Sequence, residues 1–183
     1  MSTFDLPRGV TLRPLDLDDA GPLADAYTRN RERLAPWEPA RPIEFFTEAQ
    51  QGVEIERALF DRDAGSSLPL VLEQHERIVG RVNLTGIARG VSQSATLGYW
   101  IDGELAGSGV MSAAVGAALV VARDELGLHR VQAATLLHNA ASQGVLRRNG
   151  FTPIGVAQAY VKIAGRWQDH VLFQRILEPD EGE

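Results

Sequence analysis

The spacing of apolar and polar positions changes several times along the chain, and each change marks an element. "VTLR" at 10–13 alternates like a short strand, successive side chains facing opposite ways. Asp16, Asp18 and Asp19 then precede the pattern Leu23, Ala26, Tyr27, which is one face of a helix; the carboxylates suit its positive N-terminal end. That helix is expected to end before "LAPWEPARP" (34–42), where Pro36, Pro39 and Pro42 forbid continuation. Thr47 and Gln50 have the spacing of a capping box and predict a second helix with Val53, Ile55, Ala58 and Leu59 as its apolar positions, closed by "AGSS" at 64–67.

Three strand-like runs follow at 68–74, 77–87 and 94–101, and the polar breaks Gln74–Arg77 and Arg89–Ser92 make them an antiparallel meander. Val115, Ala118, Leu119, Ala122 and Leu126 then fall on one helical stripe that stops at Gly127. Residues 130–137 read as a strand and 140–149 as a short helix, with Asn139 as N-cap, Arg147 and Arg148 in the last turn and Gly150 as terminator. Strands at 152–161 and 169–176, with "AGRW" (164–167) as their turn, complete the pattern, and the charged tail "EPDEGE" (178–183) is expected to fray. The order predicts a mixed α/β sheet with helices on both faces. The helix joining strand 94–101 to strand 130–137 implies that these two run parallel.

At 183 residues and 44% hydrophobic, the chain has the size and apolar content for one core, so a single domain over 1–183 is expected. A net charge of −6 argues against a dedicated nucleic-acid binder, which needs clustered cations. The absence of cysteine removes disulfides, thiolate metal sites and any acyl-cysteine relay, and His75, His129, His138 and His170 lack ligand spacing, so no metal is expected. The N-terminus does not read as a signal peptide and no apolar run reaches membrane-spanning length, which makes a cytoplasmic location without membrane contact the expectation.

The candidate chemistry centres on "GELAGSGVMSAAVGAAL" (103–119), where Gly107 and Gly109 stand directly before a helix. Either the glycines only turn a corner, or they let the backbone approach an anion with its N–H groups outward. Two phosphate fingerprints fail. Val110 and Met111 occupy the place of the Lys-Ser/Thr pair of a P-loop, and Ser112 stands where the dinucleotide motif needs its third glycine or alanine.

"LGYWIDGELAGSGVMSAAV" with "ELGLHRVQAATLLHNAASQGVLRRNGF" resembles the GNAT family of acyl-CoA-dependent N-acyltransferases. Its pyrophosphate loop, Gln/Arg-x-x-Gly-x-Gly/Ala, corresponds to Glu104–Gly109, with both glycines present and Glu104 departing from the pattern. Asn139, Ala140, Ala141, Ser142, Val145, Leu146, Asn149, Gly150 and Phe151 look like the closing signature of the RimJ/RimL-type ribosomal-protein N-terminal acetyltransferases. "LAPWEPARP" and "GRWQDHVLFQRI" add to that likeness.

The resemblance implies a mostly antiparallel twisted sheet whose one parallel pair splays to bind CoA, and direct acetyl transfer from acetyl-CoA to a primary amine, a peptide or protein α-amino group above all. Alternatives are a small-molecule amine acceptor, a succinyl-CoA donor, or a CoA-binding protein without catalysis. It implies a CoA site of Trp100 and Ile101 (through backbone groups), Leu105, Gly107, Ser108, Gly109, Val110, Met111, Ser112, Asn139, Ser142 and Arg147, the last drawing the 3′-phosphate. Trp37 and Tyr99 are expected at the acceptor, and Ser142 and Asn139 in catalysis. The tyrosine that protonates the leaving thiolate in many relatives is replaced by Leu146, and Ser142 falls on the serine of the RimL-like branch. Ile154 stands where that branch has a glutamate, leaving Glu73, Asp102 and Glu104 as base candidates by location, each also readable as a solvated charge. Homodimers are common among the proteins that the chain resembles.

Overall fold

The computed structural model describes residues 2–177, and the expected frayed tail at 178–183 lies outside them. One sheet of eight strands has the order β1-β2-β3-β4-β5-β6-β8-β7. Its strands are β1 (Phe4–Leu6), β2 (Val10–Pro14), β3 (Ser67–Gln74), β4 (Arg77–Ala88), β5 (Ser94–Ile101), β6 (Arg130–Leu136), β7 (Thr152–Ile163) and β8 (Arg166–Ile176); the helices are α1 (Ala20–Leu34), α2 (Glu48–Asp63), α3 (Val110–Asp124) and α4 (Ala140–Arg148). Every pairing is antiparallel except β5 with β6, the parallel pair that the connecting helix required.

The two faces of the sheet bury different sets of side chains. Leu70, Leu72, Val82, Leu84, Leu97 and Phe173 pack under α3 and Leu146 of α4. Val71, Ile78 and Trp100 pack under α1, α2 and Phe45. Period two along the strands makes this division, and it puts Tyr99 on the α3 face and Trp100 on the α1 face of β5.

Several details depart from the sequence pattern. The acidic run builds a 3-10 turn (Leu17–Asp19) before α1 begins; Asp19 is buried there, held by Arg13 of β2 at 2.7 and 2.9 Å. Thr47 caps α2 by accepting from the Gln50 N–H at 3.3 Å, but the Gln50 side chain reaches forward to Glu54, so the reciprocal half of the box is missing. Val53 points to solvent. The buried position is Gln51, tolerated inside because its amide donates to the Phe45 carbonyl at 2.6 Å. The β7–β8 turn is confined to Ala164 and Gly165, and a bulge between Ala157 and Val161 lets β7 run on to Ile163.

An ion pair fixes the end of β5. Asp102, 3% exposed, accepts from Arg29 Nε of α1 at 2.7 Å, and Arg29 also donates to the Ile78 carbonyl of β4. The Asp102 carboxylate further caps the next turn by accepting from the Glu104 N–H. Burial by itself would raise this carboxyl, but Arg29, the Glu104 amide and Asn30 together hold it below the ordinary value. Asp102 is thus a strut and not the solvated charge its sequence position allowed. A depressed carboxyl contributes stability above its unfolded-state pKa, about 3.9, and loses it as pH falls through the folded value. Asp102→Asn is expected to cost about 2 kcal/mol in urea unfolding at pH 7, with the deficit shrinking below pH 4.

Candidate active site

Beyond three residue pairs, β5 and β6 part. Their ladder runs over Ser94↔Arg130, Ala95↔Val131 and Thr96↔Gln132 and stops there. β4 holds β5 as far as Ile101, and β8 holds β6 as far as Leu136. The β6-facing edge of β5 from Leu97 to Ile101 therefore carries backbone groups with no strand partner, an arrangement that accepts an extended ligand in strand fashion. Trp100 and Ile101, expected to act through the backbone, lie on this edge. The Trp100 side chain is committed to the core, where its indole N–H donates to the Tyr27 hydroxyl at 3.2 Å.

At the end of the opening the glycine loop folds back on itself. The Ser108 N–H and hydroxyl both donate to the Leu105 carbonyl (3.2 and 2.5 Å), and the Ser108 hydroxyl accepts from the Val110 N–H. The intrahelical bonds of α3 begin with the Ala113 N–H to the Gly109 carbonyl. Among the described residues, the N–H groups of Gly107, Gly109, Met111 and Ser112 have no partner. Gly107 and Gly109 sit at φ +73° and +87°, where a side chain is strained, and a Cβ on either would meet nothing within 4 Å. The cradle is open, carries unpaired donors and is set at the positive end of a 15-residue helix, an arrangement that suits an anionic group. Within it Leu105 and Val110 differ from expectation: both side chains are buried in the core, and the Leu105 carbonyl and Val110 N–H are spent inside the loop.

On the far side of the opening, Asn139 caps α4 by accepting from the Ser142 N–H at 3.1 Å through Oδ1. Its Nδ2 has no partner among the described residues, so capping and ligand contact use different atoms. Tyr99 reaches across from β5 to Ser142: the two hydroxyls lie 2.8 Å apart and the phenol also donates to the Ser142 carbonyl at 3.0 Å. Burial pushes the Tyr99 phenol up to about 12 against a smaller opposite effect of Ser142, so it stays protonated. Tyr99, expected at the acceptor, is coupled to the candidate acid Ser142. Arg147 is exposed and donates to Gln143 at 3.3 Å, one turn back on the same helix.

Two ties that local pattern did not reveal hold α4 in place. Buried Gln143 donates to the Leu136 and Leu137 carbonyls, and Asn149 donates to the Ser112 carbonyl in the first turn of α3. The Asn149 partner lies 37 residues away, so only the fold assigns it, and the Gln143 partners lie six and seven residues back, across the turn from β6 into α4.

The α1 face holds a cavity of about 320 Å³ bounded by Tyr27, Arg31, Glu38, Arg41, Phe45 and Ala164. The tip of the β7–β8 hairpin closes it, the Ala164 N–H donating to the Glu38 carbonyl at 3.0 Å. Trp37 stands outside it, 37% exposed, its ring tilted against His138 at 5.3 Å. Of the base candidates read from sequence, Glu73 accepts from Arg13 at 2.5 Å, Asp102 is the strut described above, and Glu104 is exposed beside the loop. Gly109→Val is expected to weaken CoA binding at least tenfold in calorimetry while the melting transition stays cooperative, because a β-branched residue cannot hold φ near +87° without strain.

The family model of the acetyltransferase (GNAT) domain matches residues 10–152. The chain is 34% identical over 167 residues to the [ribosomal protein uS5]-alanine N-acetyltransferase of Escherichia coli (strain K12), covering 84% of this chain and 80% of that one. Among solved structures, the ribosomal-protein-S5-alanine acetyltransferase from Vibrio fischeri superposes with a TM-score of 0.92 at 30% identity, all of both chains covered. Mycobacterium smegmatis RimJ in complex with CoA-disulfide gives 0.91 at 26%, covering all of this chain and 89% of that one. The chain thus belongs to the GNAT acetyltransferase family, in its RimJ/RimL branch.

Proposed function

We propose that this enzyme transfers acetyl from acetyl-CoA to the N-terminal α-amino group of a peptide or protein, a ribosomal protein in the first instance. The observation that carries the reading is the parting of β5 and β6, with the donor loop on the α3 face of the sheet and the 320 Å³ cavity on the α1 face. Donor and acceptor then meet across one strand edge. The acceptor class is supported by likeness along the whole chain to an S5-alanine acetyltransferase. Chemistry agrees: an α-amino group has a pKa of about 8 against about 10.4 for lysine, so far more of it is free base near neutrality.

In this reading the N–H groups of Gly107, Gly109, Met111 and Ser112 hold the pyrophosphate, with Arg147 toward the 3′-phosphate and the free Asn139 amide on the pantetheine arm. A backbone N–H near Trp100 and Ile101 receives the thioester oxygen as charge builds on it. The amine attacks the carbonyl carbon, the C–N bond forms, the C–S bond breaks, the thiolate takes a proton from Ser142, which Tyr99 orients, and the proton that leaves nitrogen as the intermediate collapses restores the Ser142 hydroxyl. The continuous eight-stranded sheet supports treating the chain as one catalytic domain. A cytoplasmic homodimer without membrane contact is part of this reading; the net charge of −6 speaks against a nucleic-acid partner, and none of the described helices is long and apolar enough to cross a membrane.

Thiol release from acetyl-CoA, measured against N-terminal peptides, lysine side-chain peptides and small amines, tests this. Peptides with a free α-amine are expected to turn over and their N-acetylated forms not; turnover with small amines alone would overturn the acceptor class. Tyr99→Phe is expected to lower kcat about tenfold with little change in KM for acetyl-CoA, the modest size reflecting a thiol leaving group of pKa about 8.5.

A further inference from the structure

The cavity on the α1 face holds a carboxylate that the donor site does not use. We propose that Glu38 receives the acceptor's ammonium group and takes its proton before attack; this rests on the reading of the enzyme as an α-amino acetyltransferase.

The placement comes from three elements. Glu38 follows α1 and lines the cavity with its side chain, while its backbone carbonyl is fixed by the Ala164 N–H. No hydrogen bond or ion pair occupies the Glu38 carboxylate among the described residues. Behind the cavity, β4 sets Arg81 opposite Trp100 and Asn83 opposite Gly98, on the strand that leads to the thioester edge. Arg81 Nε and Asn83 Oδ1 are both buried without a hydrogen-bond partner, and a Cβ at Gly98 would meet nothing within 4 Å. Unsatisfied buried polar atoms beside open space mark a place where a polar ligand completes the bonding. The acceptor's first peptide group, with one carbonyl for Arg81 and one N–H for Asn83, supplies both.

The charged groups facing Glu38 are Arg41 from its own loop and Arg81 from β4. Arg31 and Tyr27 of α1 share the cavity, and Ala164 stands on its wall from the β7–β8 hairpin. Arg31 and Arg41 lie over the rings of Phe46 and Phe45 at 4.5 and 4.4 Å, so stacking holds them there without a carboxylate. Burial raises the Glu38 carboxyl above the ordinary carboxylate range, and Arg41 and Arg81 oppose that rise. Such a group is more basic than a solvated glutamate, which suits accepting a proton from an amine of pKa about 8. The protons balance: the first leaves the ammonium for Glu38 and then solvent, and the second leaves nitrogen as the tetrahedral intermediate collapses and replaces the one given to the thiolate.

The test is the pH profile of kcat/KM for a peptide acceptor with wild type, Glu38→Gln and Arg41→Gln, with calorimetry of CoA binding alongside. Glu38→Gln is expected to lose at least tenfold at pH 6.5, to regain rate as pH rises past the amine's own pKa, and to bind CoA as wild type does. Arg41→Gln is expected to move the acid limb to higher pH, since removing a cation raises the carboxyl further. A Glu38→Gln profile parallel to wild type, or an Arg41→Gln limb that stays in place, would overturn the assignment. No turnover of any peptide by wild type would instead overturn the acceptor reading beneath it.

Discussion

Two parallel strands that pair for three residues and then separate are the constraint on which everything else depends. A sheet interior does not leave backbone donors and acceptors unpaired without cause, because each unsatisfied group is costly once water is excluded. The parting of β5 from β6 is sustained because each strand is held on its outer side, β5 by β4 and β6 by β8, so neither can close the gap without breaking a longer ladder. The open edge is thereby preorganised, and a ligand that lies along it supplies the missing bonds.

Supports around the opening act on its two ends. At the β5 end, Asp102 ties strand to helix through Arg29 and caps the turn that starts the glycine loop, so the loop's position follows from a buried ion pair. At the β6 end, Gln143 clasps the strand's last carbonyls, and Asn149 joins α4 to the first turn of α3. Tyr99 then bridges the gap to Ser142. Cofactor loop, candidate proton donor and strand edge are linked by polar bonds to one another, and a shift in any of them moves the rest.

Local chemistry made much of this legible in the sequence. Gly107 and Gly109 before a helix, Asn139 three residues before Ser142, and the prolines after α1 each carry their meaning within a few positions, and all stand where the pattern put them. Strand β1, three residues long, is too short for alternation to register. Val53 was misread because helical spacing does not say which of two adjacent apolar stripes faces inward, and a hydrogen bond from Gln51 to Phe45 decided it. Glu38 was hidden for a similar reason. In "LAPWEPARP" it reads as one charge among prolines, and only the hairpin tip at Ala164 with the walls of α1 and Phe45 gives it a cavity. Tyr99 and Ser142 were each singled out, but their contact spans 43 residues and belongs to the tertiary fold.

The central claim is that backbone donors of the glycine loop hold the donor's pyrophosphate. Amide resonances followed by ¹H–¹⁵N NMR during a CoA titration test it most directly, because each donor reports separately. The account predicts that Gly107, Gly109, Met111 and Ser112 show the largest shifts and gain protection from exchange, ahead of Ser108 and Val110, whose N–H groups are already bonded within the loop. Saturable CoA binding that leaves those four amides unmoved would contradict it.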